Sequence, residues 1–192
     1  MDKMNIMVVG VGGQGTLLTS RIIGKVALAA DYDVKLSEVH GMAQRGGSVV
    51  TFVRFGEKIN EPVVEEGDAD VLIAFEKLEA LRYSHYLKKD GVIVVNDQQI
   101  DPMTVISGAQ VYPENVIENL NKEHVVFSFD GVKAANSLNN SKVLNIVILG
   151  FAAKHIGFTE EEWLNVIEKT VPPKTVDINK KAFLTGYRGE LL

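Results

Sequence analysis

Cysteine is absent from the chain. That excludes a disulfide, a thiolate zinc site, a cysteine-ligated iron–sulfur cluster and a cysteine nucleophile. An excess of basic charge is also missing. The formal net charge is −5 with a pI near 5.4, and no Lys/Arg-rich run stands out, so the electrostatic footprint of a nucleic-acid binder is not there. The four histidines, His40, His85, His124 and His155, do not form an H-x-x-x-H pair on one helical face. Long apolar runs are lacking too. The most apolar stretch, Val143 to Ile156, carries Asn145, Lys154 and His155 and falls short of the roughly 20 residues a membrane span needs. The apolar part of the amino terminus, Ile6 to Val9, is too short for a signal peptide and runs into glycines rather than a cleavage site. These absences predict a soluble cytoplasmic protein that binds neither nucleic acid nor membrane.

What is present is ordinary for a globular protein: 192 residues, 46% hydrophobic and 23% charged. That length suits one domain spanning residues 1–192, with enough chain to bury a core unaided. Ile6–Val9 is uniformly apolar, as a strand covered on both faces would be. From Gln14 to Ala30, Leu18, Ile22, Val26 and Ala30 recur at helical spacing. Further strands are expected at Asp33–Val39, at Ser48–Phe55 with alternating burial, at Val71–Phe75, Val92–Val95 and Val125–Phe129, with a helix over Glu76–Leu87. Val111 is read as a short strand before a helix led by Pro113. The remainder reads as helical. Val143–Ile156 is apolar nearly all round, Thr159 to Glu162 has capping-box spacing for a helix through Lys169, and Asp177 is placed to cap a last helix over Asn179–Tyr187. Strand–helix alternation with glycine at the first crossover predicts a Rossmann-like, doubly wound α/β fold. Its sheet would be mostly parallel within a three-layer α/β/α sandwich, with a helical carboxy-terminal portion.

Two loops carry the functional signal. Gly10-Val11-Gly12-Gly13-Gln14-Gly15 satisfies G-x-G-x-x-G between a strand and a helix. Gly10 would permit a tight turn, Gly12 the close approach of a ligand, and Gly15 close helix–strand packing. The helix N-terminus beyond them favours an anion. The acidic residue that a dinucleotide site places at the end of the second strand does not fall at its usual spacing: Asp31 and Asp33 precede that strand and Glu38 comes late. The loop therefore reads as a dinucleotide site, a plain tight turn, or a rest for a phosphate-bearing or partner-borne ligand.

The second loop, Glu38-Val39-His40-Gly41-Met42-Ala43-Gln44-Arg45-Gly46-Gly47, leaves the carboxyl end of the second strand, where open α/β sheets place ligands. Arg45 could grip a carboxylate or phosphate bidentately, with the Gly46-Gly47 N–H groups closing on the same anion. Equally, Arg45 could pair with Glu38 while His40 caps a local turn.

These two loops, with Phe75-Glu76-Lys77-Leu78-Glu79-Ala80 and the terminal Asn179-x-x-Ala182-Phe183-x-x-Gly186-Tyr187, resemble the gamma domain of 2-oxoacid:ferredoxin oxidoreductases over essentially the whole chain. Where pyruvate and 2-oxoglutarate members resemble Tyr-Gly-Pro-Glu before the arginine, this chain has His40 to Gln44, which resembles the indolepyruvate branch and its small subunit. The resemblance implies a subunit required for oxidative decarboxylation of aryl 2-oxoacids to acyl-coenzyme A. The thiamine diphosphate and iron–sulfur clusters would be carried by a large partner subunit, with two copies of each subunit in the complex and ferredoxin engaged indirectly. No cofactor is expected on this chain, and Asn139-Asn140 stands without the Gly-Asp-Gly of a thiamine motif. The contact loops would be Gly12, Gly13, Gln14, Gly15, His40, Gly41, Gln44, Arg45, Gly46 and Gly47, facing coenzyme A, substrate or the partner, with no catalytic or metal-binding residue. The isolated chain would be inactive and could self-associate as a homodimer. The competing readings are a gamma subunit of a related pyruvate or other 2-oxoacid enzyme, and a stand-alone nucleotide-binding Rossmann protein. Trp163 reads as a core or interface anchor, Glu76 as serving the first turn of its helix, and Asn96-Asp97 as a turn.

Overall fold

A computed structural model describes residues 3–40 and 46–189, with the backbone alone at His40. Six strands form one sheet: β1 (Lys3–Val11), β2 (Asp33–His40), β3 (Ser48–Gly56), β4 (Ala69–Ala74), β5 (Leu87–Asn96) and β6 (Val125–Phe129), in the order β2-β3-β1-β4-β5-β6. The β1–β4, β4–β5 and β5–β6 pairs are parallel, and β3 alone runs against its neighbours β1 and β2. The fold is α/β with a mostly parallel sheet, as the alternation predicts. The reversal of β3 is the departure. The chain leaves β2 and returns at once, filling the place between β2 and β1 that a purely parallel sheet would have closed with a crossover helix.

Burial follows from this order. β1 is central, and Asn5 through Val11 are buried, which is why its sequence shows no alternation. β3 was expected to bury one face only, yet Val49 through Gly56 are all buried. One face lies under α1 (Thr16–Ala29) with Val53 and Phe55, and Val50 and Phe52 pack in the opposite core with Val64. Arg54 is carried inside by the same strand. Its Nε donates to Asn5 Oδ1 at 3.0 Å, and its guanidinium donates to the Val63 carbonyl at 2.5 Å.

Helices cover both faces. On one lie α1, α5 (Gly131–Ser137), α6 (Leu144–Ala153), α7 (Glu160–Thr170) and α8 (Val176–Arg188), enclosing an aromatic cluster of Phe55, Phe158, Trp163 and Phe183. Trp163 is fully buried there, the core reading. α2 (Lys77–Tyr83) and α4 (Val116–Leu120) cover the other face, and a short α3 (Met103–Ile106) lies between them in sequence. α6 is buried nearly all round, as its composition demands. Thr159 and Glu162 form the expected reciprocal capping box, with Glu162 Oε2 accepting from the Thr159 N–H at 2.7 Å.

Three local expectations fail for identifiable reasons. Val111 is 89% exposed and lies in no strand, since nothing pairs with it. The following helix starts at Val116 after Asn115 in a left-handed conformation, not at Pro113. The last helix opens earlier than Asp177, because the turn Pro173–Thr175 leads straight into it. Asp177 therefore sits in the first turn, where the helix dipole favours an anion, rather than at the cap.

Candidate functional site

The carboxyl ends of β1, β2, β4, β5 and β6 share one edge of the sheet, and β3 begins there. Successive connections leave β1 and β4 toward opposite faces, with α1 in one core and α2 against the other. The crevice between β1 and β4 is therefore the point where such sheets bind ligands.

The first glycine loop fills that crevice with its own groups. The Val11 N–H donates to Gln14 Oε1 at 2.7 Å, and Gln14 Nε2 donates to the Phe75 carbonyl at 3.2 Å and to Gln98 Oε1 at 3.4 Å. Gln14 thus stitches the ends of β1 and β4 together. The Gly12 N–H donates to the Gly47 carbonyl at 2.9 Å. This corrects the expectation that Gly12 offers its N–H to a ligand. The donors at Val11, Gly12 and Gln14 are spent inside the protein, so a full dinucleotide cradle is not assembled here. Gly15, at φ +90, is where the chain needs glycine most: a Cβ would meet the Asn145 side chain at 2.9–3.1 Å. That is the close packing expected of it, made with α6 rather than with a strand. α1 begins beyond it with no side-chain cap and no acidic residue in its first turn, so its positive end is not neutralised locally.

The same Gly12–Gly47 bond brings the second loop to the first, and the β1–β3 register places Val11 opposite Ser48. Gly12, Gly13, Gln14, Gly15, Gly46 and Gly47 thus belong to one edge. Gly41, Gln44 and Arg45, and the side chain of His40, lie outside the described residues.

Glu76 is buried and caps α2, the structural of its two readings. Its carboxylate accepts from the N–H groups of Glu79 at 3.0 Å and Ile100 at 3.2 Å, and from the Tyr112 hydroxyl at 2.5 Å. Burial and this carboxylate hold the Tyr112 phenol far above its ordinary range. Asn96, also buried, ties β5 to β4 and to α5. Its amide donates to the Phe75 carbonyl at 3.1 Å and its oxygen accepts from the Gly131 N–H at 2.9 Å. Asp97 pairs with Lys77 at 3.1 Å.

Two features escaped sequence reasoning. A cleft of about 700 Å³ opens along the β5–β6 side of the edge, lined by Lys77, Asp97, Tyr112, Glu114, Asn115 and Ser128 among others. Its carboxylates and single paired lysine do not suit a phosphate-rich ligand. Beside the second loop, Ser48, Glu79, Arg82 and Tyr83 form a hydrogen-bonded cluster. The signal for it was the spacing of Glu76, Glu79 and Tyr83 along one helical face. The partner Ser48 is remote in sequence. Among the described residues no group of His, Asp and Glu side chains could hold a metal ion, and no helix is long and apolar enough to cross a membrane.

A sheet of this topology, with two glycine loops joined at its carboxyl edge and the crevice stitched shut by glutamine, defines a Rossmann-like domain that contributes an edge to a larger site. The chain belongs to the pyruvate ferredoxin/flavodoxin oxidoreductase family, whose model matches residues 5–189. It is 42% identical to the indolepyruvate oxidoreductase subunit IorB of Thermococcus kodakarensis over 98% of this chain and 96% of that one. Among solved structures it resembles the gamma subunit of a keto/oxoacid ferredoxin oxidoreductase from Geobacter sulfurreducens, with 25% identity, a TM-score of 0.70 and 98% of each chain covered. The fold also recurs within the 2-oxoglutarate:ferredoxin oxidoreductase of Magnetococcus marinus, solved with 2-oxoglutarate, coenzyme A and succinyl-CoA. There the TM-score is 0.72 at 18% identity, over 98% of this chain and 31% of that one.

Proposed function

We propose that the chain is the small subunit of an indolepyruvate-type 2-oxoacid:ferredoxin oxidoreductase, acting as one gamma-type domain. It supports oxidative decarboxylation of an aryl 2-oxoacid to its acyl-coenzyme A ester on a large partner subunit that carries thiamine diphosphate and iron–sulfur clusters. Two of each subunit make the working cytoplasmic complex, which delivers electrons to ferredoxin. A chain without cysteine cannot hold the clusters, and the relatives' names supply the activity. The observation that carries the site assignment is the Gly12–Gly47 hydrogen bond. It joins the two glycine loops at the ligand edge, beside an α1 N-terminus without local acidic charge. In this reading His40, Gly41, Gln44 and Arg45 complete that edge, with Arg45 on a phosphate of coenzyme A or on the substrate carboxylate.

The test is Arg45→Ala in the complex reassembled with its large subunit. Losing a charge-assisted bidentate contact costs roughly 1.5–3 kcal/mol. The expected result is a fall of about 10- to 100-fold in kcat/KM for coenzyme A or for the arylpyruvate. If both KM values and the turnover stay at wild-type levels, the ligand-contact assignment fails and the loop is an interface element. A stand-alone nucleotide-binding enzyme is the second reading, and the internally spent N–H groups of the first loop weigh against it. A thermal shift of the isolated chain with micromolar NAD(P) or flavin would reinstate it.

A further inference from the structure

Glu79 is 4% exposed, in the middle of α2, on the helix face turned toward the start of β3. A carboxylate in that position is costly unless hydrogen bonds replace its water. It accepts from Ser48 Oγ at 2.5 Å and from Arg82 Nε at 3.2 Å, and Ser48 Oγ also lies 3.1 Å from the Tyr83 hydroxyl. α2 already has its cap in Glu76, so the helix does not need a second buried acid, and an aliphatic residue would fill the space at less cost. What the carboxylate does reach is the hinge of the ligand edge. Ser48 is the first residue of β3, follows directly on Gly47, and pairs with Val11 across the ladder. The Gly47 carbonyl in turn holds the Gly12 N–H.

We infer that Glu79 is a positioning residue for the coenzyme A-facing edge: through Ser48 it fixes the start of β3 and so holds the second glycine loop against the first. The inference rests on the proposal that these loops face coenzyme A. The bond is directional. Glu79 can hold Ser48 only where β3 begins in the register that also brings Gly47 to Gly12. Loss of either partner would leave that register to the backbone ladder alone. Burial raises the Glu79 carboxyl above its ordinary range, against the opposing pull of Ser48 and Arg82 and with added repulsion from Glu76. The arrangement is thus kept despite an electrostatic cost.

The experiment uses Glu79→Leu, Glu79→Gln, Ser48→Ala and the double variant Glu79→Leu/Ser48→Ala. In the isolated full chain, the Gly12 amide should exchange with solvent about tenfold faster in Glu79→Leu and in Ser48→Ala. The double variant should be no worse than either single change, and Glu79→Gln, which keeps an acceptor for Ser48, should stay near wild type. In the reassembled complex the same two single changes should raise the KM for coenzyme A about fivefold, with the arylpyruvate KM and the Tm of the chain little changed. Unchanged Gly12 exchange in Ser48→Ala, or additive effects in the double variant, would overturn the inference. Should Glu79→Leu fail to fold, the Ser48→Ala arm still decides it. Faster Gly12 exchange with an unaltered coenzyme A KM would support the lock and sink the assignment of the loops to coenzyme A.

Discussion

Helices α6 and α8 cross at two glycines, Gly150 and Gly186, and the crossing makes a strong quantitative prediction. A Cβ built on Gly150 would lie 2.1 Å from the Phe183 carbonyl oxygen, and one on Gly186 2.1 Å from the Val147 carbonyl oxygen. Both obstacles are backbone and cannot rotate away, so either alanine must push the helices apart by roughly 1 Å. In a helix interior, Gly→Ala contributes about 1 kcal/mol of stability on propensity alone. Against that, the fully buried Val147 and Phe183 and the partly buried Phe151 line this region. Each is worth about 2 kcal/mol of burial, of which a radial gap near 1 Å forfeits up to half. Forced repacking adds about 1–3 kcal/mol. The net loss is about 2–4 kcal/mol, or a Tm lower by roughly 5–15 °C for a chain of this size. Gly24→Ala is the control. It is also helical, but its Cβ would find only Val34 Cγ1 at 3.5 Å and Leu36 Cδ1 at 4.0 Å. Ordinary contact leaves the propensity gain intact, and its Tm should rise by a few degrees. Thermal and urea denaturation followed by circular dichroism of the three variants supplies the measurement. A Gly186→Ala protein that melts at or above wild type would refute the steric argument.

Two further perturbations bear on the acids of α2. Glu76→Ala removes the acceptor of the Glu79 and Ile100 N–H groups and of the Tyr112 hydroxyl. It should cost about 3 kcal/mol, read as a lower urea midpoint, and Glu76→Gln should lose visibly less. Because folding raises the Glu79 carboxyl above its model value of 4.5, that group favours the folded state most when protonated, below the unfolded value. The contribution is lost as pH rises through the folded value. At pH 7, Glu79→Gln should therefore be at least as stable as wild type. The gap should close as pH falls toward 4.5, and a gap that widens on acidification would show that the sign is wrong.

The sequence by itself determined what depends on neighbours along the chain. Absence of cysteine ruled out thiolate chemistry. The uniform apolarity of Ile6–Val9 placed a strand in the centre of the sheet, and the Thr159–Glu162 spacing specified a capping box that the structure contains. The all-round apolarity of Val143–Ile156 foretold a helix enclosed in the core. Such signals are legible because helix caps, periodicity and two-sided burial are set by residues a few positions apart. The structure alone decided that β3 turns back between β2 and β1, which put the Gly47 carbonyl on the Gly12 N–H and Ser48 on Glu79. It also decided that Gln14 closes its own crevice, and that Gly150 meets Gly186. A strand reads the same in either direction, and a glycine does not announce whether it serves a turn, a ligand or a helix crossing. Those choices are made by hydrogen bonds and packing between residues far apart in the chain, and only the assembled sheet and its covering helices resolve them.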